Sequence, residues 1–165
     1  MGAVTRYVYD IQSIMQQFDG IGVLQSRYTQ GDQIDQTLEL EHGGQRYFYE
    51  ANHLGSIRTV RNATGVAVNQ YDYDAYGQSG IRVETVAQPY GFTGREFDAE
   101  SGLYHYRARQ LDTHTGRFVQ TDPIGFAGKG LNTYAYVRNN PIRYRDPRGT
   151  ELLDEVGVAT AIAHK

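Results

Sequence analysis

The chain has 165 residues, enough for about one domain with a sizeable core, and its 14 tyrosines outnumber its 6 phenylalanines, with no tryptophan. A net charge of -3 argues against general binding to nucleic acid or to an anionic membrane surface. The sequence has no cysteine, which excludes a disulfide framework and a thiolate zinc site. It has no apolar run near the ~20 residues that a membrane-spanning helix needs. Strand-like sequence begins at Tyr7 with no signal-peptide core before it, so we expect a fragment of a longer polypeptide.

Strand-like segments alternate with turn signals from residue 6 to about residue 120. Residues 6–10 read as a strand that ends at a polar stop, and Asp19-Gly20 is a short hairpin signal. Residues 62–65 form a turn motif before a strand at 66–73. Abundant glycine and tyrosine at short spacings favour hairpins over helices. We therefore predict an all-β fold, with residues 1–91 forming a strip of β-hairpins.

An internal repeat follows this strip. Residues 97–104 and 111–118 share a pattern in which an aspartate opens a turn and a glycine ends it. The aspartate can accept hydrogen bonds from amides two residues on, and the glycine can take a positive φ. Residues 103–109 alternate in character between the two turns, which predicts one continuous strand. Its tyrosines would lie on one face, with Arg107 and Arg109 on the other.

Two matching tetrapeptides lie further along the chain, Asp122-Pro123-Ile124-Gly125 and Asp146-Pro147-Arg148-Gly149. Proline fixes φ and removes an amide donor, so each carboxylate is held in a stiff turn. Two carboxylates held close together can divide acid and base roles, one taking a proton from water while the other protonates a carbonyl oxygen. Asp122 and Asp146 are thus the candidate catalytic pair for peptide hydrolysis, and Pro123, Gly125, Pro147 and Gly149 support them. The alternative is that both carboxylates only cap local amides.

The chain changes composition directly after the second of these turns. A self-cleavage site is expected at such a boundary, between Thr150 and Glu151. Residues 121–149 read as an irregular cap rich in proline and glycine, in which residues 131–137 form a last strand or a short helix. Residues 151–165 read as a short tail that forms a helix or begins another domain.

Several arginines are further candidates for a functional role. Arg107 and Arg109 can orient a carboxylate through paired hydrogen bonds, or they can form structural ion pairs with Asp98 or Asp112. Four further arginines cluster near the end of the chain and are expected on a solvated face rather than in a nucleic-acid site: Arg138, Arg143, Arg145 and Arg148. The five histidines lack metal-ligand spacing, and no cofactor motif is found, so we predict neither a metal nor a cofactor.

Taken together, these motifs resemble the Rhs/YD-repeat family at its Rhs-associated core domain. The Tyr-Asp-Tyr-Asp run at 71–74 looks like the YD repeat itself, and residues 52–58 look like the family's His-Leu-Gly-Ser block. From 92 to 149 the motifs follow the family signature in order and spacing: Phe92-Thr93-Gly94, Gly102-Leu103-Tyr104, Arg107-Ala108-Arg109, Thr115-Gly116-Arg117-Phe118 and the two Asp-Pro turns. The resemblance covers roughly residues 6–149. Thr150 stands where self-cutting members usually have leucine.

The resemblance implies a fold and a set of partners. In this family the YD repeats wind as a strip of β-sheet into a hollow shell, the core domain closes one end, and a variable toxin region follows the second Asp-Pro turn. Residues 92–150 would then be the core and residues 151–165 the start of the variable region. Members include type VI secretion effectors and the C components of insecticidal Tc complexes. The implied partners are the upstream shell and downstream toxin of the same polypeptide, with secretion-machinery and immunity proteins, and the implied route is export from the bacterial cytoplasm.

The function expected from the resemblance is self-cleavage after Thr150 by Asp122 and Asp146, like an aspartyl protease, to release a toxin. A non-catalytic plug of the shell is one alternative. A cell-surface or carbohydrate-binding module, with tyrosines as stacking platforms, is another. An open strand edge near residue 6 would favour self-association.

Overall fold

The structure is a computed structural model and describes residues 4–128, 131–150 and 153–154. One antiparallel sheet of eight strands forms the strip, and its strands follow one another in chain order. They are β1 (Arg6–Tyr9), β2 (Ile14–Phe18), β3 (Leu24–Gln30), β4 (Thr37–His42), β5 (Gln45–Ala51), β6 (Ile57–Asn62), β7 (Ala67–Tyr73) and β8 (Ser79–Glu84). Since almost all regular structure is antiparallel β, the all-β prediction is confirmed, and β1 lies at an open edge of the sheet, near residue 6 as expected.

The two faces of this sheet differ in chemistry. Alternation along the strands puts Tyr28, Leu40 and Val60 on one face, where they are buried together with Ile14, Ile57, Tyr71, Val86 and Tyr90. The other face carries exposed cross-strand ion pairs, such as Arg61 with Glu50 at 2.8 Å. Such pairs add little stability, so burial of the apolar face holds the strip together.

A second, four-stranded sheet follows the strip, in the order β12-β11-β10-β9. Its strands are β9 (Glu96–Asp98), β10 (Leu103–Tyr106), β11 (Arg109–Asp112) and β12 (Arg117–Phe118). Both copies of the repeat form the predicted turns. The carboxylates of Asp98 and Asp112 each accept an amide hydrogen bond of 2.9 Å from two residues on, and Gly102 and Gly116 have φ of 74° and 67°.

The prediction of one continuous strand over residues 103–109 is wrong. The chain reverses at Arg107 and Ala108, between β10 and β11, and Arg107 has a φ of 57°. The reversal changes which positions face inward, so Tyr104 and Tyr106 are buried before it, and Arg109 and Leu111 after it. Arg107 and Arg109 therefore do not share a face. A two-residue hairpin turn normally shows a glycine or asparagine where φ is positive, and this one does not.

The core of the second sheet is largely aromatic. Its buried members are Phe92, Tyr104, Tyr106, Leu111, Phe118, Tyr136 and Val137. The rings of Tyr106, Phe118 and Tyr136 meet edge to face, with centroids 5.6–5.7 Å apart, an arrangement that adds stability beyond the area buried. Tyr73 packs against both this cluster and that of the strip, and so links the two sheets.

Outside the two sheets, a 3₁₀ turn at Phe92–Gly94 precedes β9. The described residues from 121 onward form the irregular cap. Its regular elements are 3₁₀ turns at Gly125–Gly128 and Val137–Asn139, and the short strands β13 (Tyr144–Arg145) and β14 (Leu153–Asp154), which pair with each other. The prediction of a strand or helix over residues 131–137 is wrong, because the Asn132 side chain accepts a hydrogen bond from the amide of Tyr134 at 3.0 Å and forms a turn.

The prediction for residues 151–165 falls largely outside the described residues. Within the described part of the chain, no helix is long and apolar enough to cross a membrane.

Glu96 is a buried carboxyl group at the start of β9. The Tyr9 hydroxyl donates to its Oε2 at 3.0 Å, while Oε1 has no hydrogen-bond partner among the described residues. Burial raises the pKa of Glu96 above its ordinary value, and the charge of Arg95 and the bond from Tyr9 offset only part of that shift. The folded state therefore holds this proton more tightly than the unfolded chain does.

We expect Glu96→Gln to be more stable than the parent near neutral pH. A raised folded-state pKa contributes stability that is fully present below the unfolded pKa, about 4.5, and is lost as pH rises through the folded pKa. The glutamine amide stays neutral and avoids that loss, so the gain in stability of Glu96→Gln over the parent should vanish at about pH 4. Urea unfolding at both pH values measures the difference. Glu50→Gln, at an exposed ion pair, is the control and should show no such gain, and a Glu96→Gln chain less stable than the parent at neutral pH would contradict the prediction.

Candidate active site

The second Asp-Pro turn is seated on the hairpin turn between β10 and β11. The Gly149 amide donates to the Asp146 carbonyl at 3.2 Å, and the Ala108 amide donates to the Arg148 carbonyl at 3.3 Å. Asp146 Oδ1 accepts the Thr150 amide at 3.0 Å. The carboxylate thus fixes the backbone directly before the predicted scissile bond. Glu151, on the far side of that bond, lies outside the described residues.

The first Asp-Pro turn has the same local form. The Gly125 amide donates to the Asp122 carbonyl at 2.9 Å, and Asp122 Oδ1 accepts the Ile124 amide at 3.0 Å. A further bond of 3.0 Å, from the Asp122 amide to the Thr133 carbonyl, anchors the turn to the cap. Each carboxylate therefore uses Oδ1 to cap a local amide.

Arg109 brings the two carboxylates together. Its Nη2 lies 3.2 Å from Asp122 Oδ2 and 3.0 Å from Asp146 Oδ2. The Arg109 and Asp146 side chains are each only 4% exposed, and that of Asp122 is 9% exposed. The two turns, far apart in sequence, thus place their carboxylates on a single guanidinium nitrogen in a water-poor environment.

The rest of the Arg109 guanidinium is also engaged. Its Nε donates to the Gly149 carbonyl, its Nη1 donates to the Thr133 carbonyl at 3.0 Å, and its central carbon lies 3.7 Å from the centre of the Phe118 ring. Burial lowers the pKa of Arg109 from its ordinary value, and the charges of Asp146 and Asp122 offset part of that shift. Pairing with two carboxylates is what makes a buried guanidinium tolerable.

The structural ion pairs that the sequence suggested for the two arginines are not the ones that form. Asp98 and Asp112 cap their own turns, while Arg107 pairs with Asp35 at 2.7 Å. Arg107 also donates to the Pro147 carbonyl. The missed reversal at residues 107–108 explains the error, because it turns Arg109 toward the cap and leaves Arg107 at the hairpin tip. Of the other four arginines, Arg138, Arg143 and Arg148 are exposed as expected, but Arg145 is buried.

The geometry defines what the site can do chemically. Two carboxylate oxygens that do not cap the turns face a shared cation, beside a peptide segment fixed by one of those carboxylates. The cation reduces the repulsion between the two carboxylates. Because hydrolysis by this pair needs one carboxyl group in its protonated form, a proton would have to enter the cluster before water is activated. Among the described residues, no group of three or more His, Cys, Asp or Glu side chains is placed to hold a metal ion.

A large groove lies elsewhere on the molecule. It has a volume of about 690 Å³ and lies between β1, β2 and β9, with Tyr7, Tyr9 and Glu96 in its lining. Neither Asp122 nor Asp146 lines it. The carboxylate pair is therefore arranged around the backbone of its own chain rather than around this groove.

Comparison with known proteins decides the family. The family model described as the teneurin YD-shell matches residues 2–142. This chain belongs to the YD-shell family. The resemblance to Rhs/YD-repeat proteins that the sequence motifs indicated is thereby confirmed.

Named relatives of this YD-shell chain include bacterial toxins. It is 34% identical over 156 residues to the tRNA3(Ser)-specific nuclease WapA of Bacillus spizizenii, a match that covers 90% of this chain and 7% of WapA. It is 35% identical over 122 residues to the toxin subunit YenC1 of Yersinia entomophaga, covering 71% of this chain and 12% of YenC1. The chain thus spans only a small part of the length of these relatives.

A solved structure shares the fold. The crystal structure of TcdB2-TccC3-TEV superposes with a TM-score of 0.73, covering 89% of this YD-shell chain and 8% of the matched chain. Sequence identity over that match is 23%, so it establishes the fold and carries no conclusion on activity. Fold and family together make this chain a YD-shell segment related to bacterial toxins.

Proposed function

We propose that this chain closes one end of a YD shell in a bacterial toxin polypeptide and cuts its own backbone between Thr150 and Glu151, releasing the segment that follows. One observation carries the proposal. Asp122 and Asp146, from separate Asp-Pro turns, meet at Arg109 Nη2 at 3.2 and 3.0 Å, and Asp146 also holds the Thr150 amide.

The proposed reaction uses the two Oδ2 atoms. One carboxylate takes a proton from a water molecule, whose oxygen bonds to the carbonyl carbon of Thr150, while the other carboxyl group, protonated beforehand, donates to the carbonyl oxygen. Collapse of this intermediate breaks the bond to the Glu151 nitrogen, which takes up a proton. The products are a new carboxyl end at Thr150 and a new amino end at Glu151. Arg109 holds the two carboxyl groups in place for these transfers.

The partners proposed for this activity lie in the same polypeptide. The open edge at β1 suits continuation of the strip by upstream YD repeats, since an unpaired edge offers a template for another strand. The segment after Thr150 would be the released toxin. For the toxin polypeptide we propose export from the bacterial cytoplasm, with contacts to secretion-machinery and immunity proteins, as the resemblance to the Rhs/YD-repeat family implies.

A non-catalytic plug of the shell is the second candidate. The observation in its favour is that Arg109 compensates both carboxylates in the resting arrangement, as in a purely structural ion cluster. Thr150 in place of the usual leucine points the same way. The plug and the self-cutting segment differ in one measurable outcome, which is the integrity of the chain.

Intact mass of the chain after cell-free synthesis tests the proposal. The parent chain should yield a fragment that ends at Thr150, and Asp122→Asn and Asp146→Asn should each slow its appearance by about 100-fold or more, because each removes a proton-transfer group. Asp112→Asn is the matched control. Its carboxylate also caps a turn but lies outside the cluster, so cleavage should persist.

Two results would decide against self-cleavage by this pair. A parent chain that stays whole would establish the plug instead. A break after Thr150 at the parent rate in both asparagine variants would remove the two carboxylates from the mechanism. Breaks confined to the Asp-Pro bonds in acid are ordinary chemical lability and do not count as self-cleavage.

A further inference from the structure

A buried carboxylate of the strip pairs with two arginines from the later part of the chain. Asp35 lies on the connection between β3 and β4, has a φ of 61°, and its side chain is 1% exposed. Its Oδ1 lies 2.7 Å from Arg95 Nη1 and 2.7 Å from Arg107 Nη2. A buried carboxylate must be paired to be tolerated, and here both of its cations come from the second part of the chain.

Only one of these two cations also reaches the second Asp-Pro turn. Arg107 Nη1 donates to the Pro147 carbonyl, and its Nη2 also makes a long bond of 3.4 Å to the Gln12 carbonyl. Arg95 directs its remaining donors to the His105 carbonyl instead, at 2.9 and 2.7 Å. The Arg107 guanidinium is therefore a junction between the strip and the turn that carries Asp146.

We propose that Asp35 is a positioning residue that acts through Arg107 to fix the conformation of the second Asp-Pro turn. The candidate active site is then complete only when the strip is docked on the second sheet. Asp35 is engaged by its two arginines and takes no part in proton transfer. Its effect on cleavage rests on the proposed function, whereas its effect on the turn does not. Cleavage would thus be tied to correct assembly of the shell wall.

A purely structural role for the cluster predicts something different. In that case, loss of Arg107 would lower overall stability and leave the turn at residues 146–150 no more mobile than the rest of the core. A positioning role predicts a local change at the turn, because the Pro147 carbonyl loses its donor while the Asp35–Arg95 pair remains. Amide hydrogen exchange at individual residues separates the two.

The test uses Arg107→Gln in a chain that also carries Asp122→Asn, so that it stays whole. We expect exchange at the Gly149 and Thr150 amides to accelerate about tenfold or more, with exchange at Leu40 unchanged. In the chain without the second change, cleavage should slow by about 100-fold, the scale expected when a reacting group is displaced by about 1 Å. Arg61→Gln is the matched control, since it also removes an arginine from an ion pair, but from an exposed pair within the strip.

Two further variants keep the proposal open to refutation. Asp35→Asn removes the charge and suits the positive φ, and Arg107→Lys keeps a charge that cannot bridge both partners. Both should loosen the turn, the lysine variant less than Arg107→Gln. Unchanged exchange at Gly149 and Thr150 in all three variants would overturn the proposal. If the parent chain never cuts, the proposed function fails, and the exchange comparison still decides whether Asp35 positions the turn.

Discussion

Arg109→Met is expected to lower the free energy of unfolding by about 3–5 kcal/mol, the usual cost of removing one partner from a buried ion cluster. The methionine would fill much of the same space against Phe118. It would leave Asp122 and Asp146 facing each other without a cation, and the carbonyls of Thr133 and Gly149 without their donor. A loss on this scale is a large fraction of the stability of a typical domain.

Chemical denaturation measures this loss, with Arg117→Met as the control. Arg117 lies on the neighbouring strand β12 and is exposed, so its replacement should change stability by no more than about 0.5 kcal/mol. Adding Asp122→Asn and Asp146→Asn to the Arg109→Met chain should recover part of the loss, because no uncompensated charge then remains. Equal losses for the two arginine variants would show that the cluster contributes nothing to stability.

Gly149→Ala should be much more damaging than Gly125→Ala, although both glycines end an Asp-Pro turn. Both have a positive φ, 70° and 57°, so alanine costs about 1–2 kcal/mol at either position. A methyl group at 149 would lie 2.3 Å from the Tyr106 carbonyl oxygen, whereas one at 125 would meet no atom of the described residues within 4 Å. The clash adds about 1–3 kcal/mol and pushes the turn off its seat.

Thermal and urea unfolding of the two alanine variants provide the comparison. The extra loss of stability at 149 should appear together with cleavage that is slower in Gly149→Ala than in Gly125→Ala. Similar losses at both positions would mean that the second turn is not held against the hairpin as the structure has it. The pair of variants thus tests the asymmetry between two turns that look equivalent in sequence.

Local turn chemistry explains why much of the fold could be predicted from the sequence. The strip and the repeated Asp-to-Gly turns follow from aspartate caps and positive-φ glycines, which act within a few residues. The same holds for the local form of the two Asp-Pro turns. In each of these cases the residues that determine the conformation are also those that adopt it.

The errors on the second hairpin and its arginines arise where a distant contact determines the conformation. The reversal at Arg107 and Ala108 has no glycine or asparagine, and its positive φ is maintained by bonds to Asp35 and Pro147. Asp35 itself reads as one more polar loop residue, and nothing near it in sequence indicates that two arginines will bury it. The sequence indicated Arg109 as a candidate, but the missed reversal gave it the wrong partners.

The strictly sequential strand order of the strip has a consequence for the order of folding. Each strand pairs with the one just made, so the entropy lost in closing each hairpin is small, and the strip can form strand by strand during synthesis. The Asp35–Arg107 contact joins residues 72 positions apart, so it cannot form until the second sheet has formed. We therefore expect the turn beside Thr150 to settle after the strip has formed, and under the proposed function this order would keep an unfinished shell from being cut.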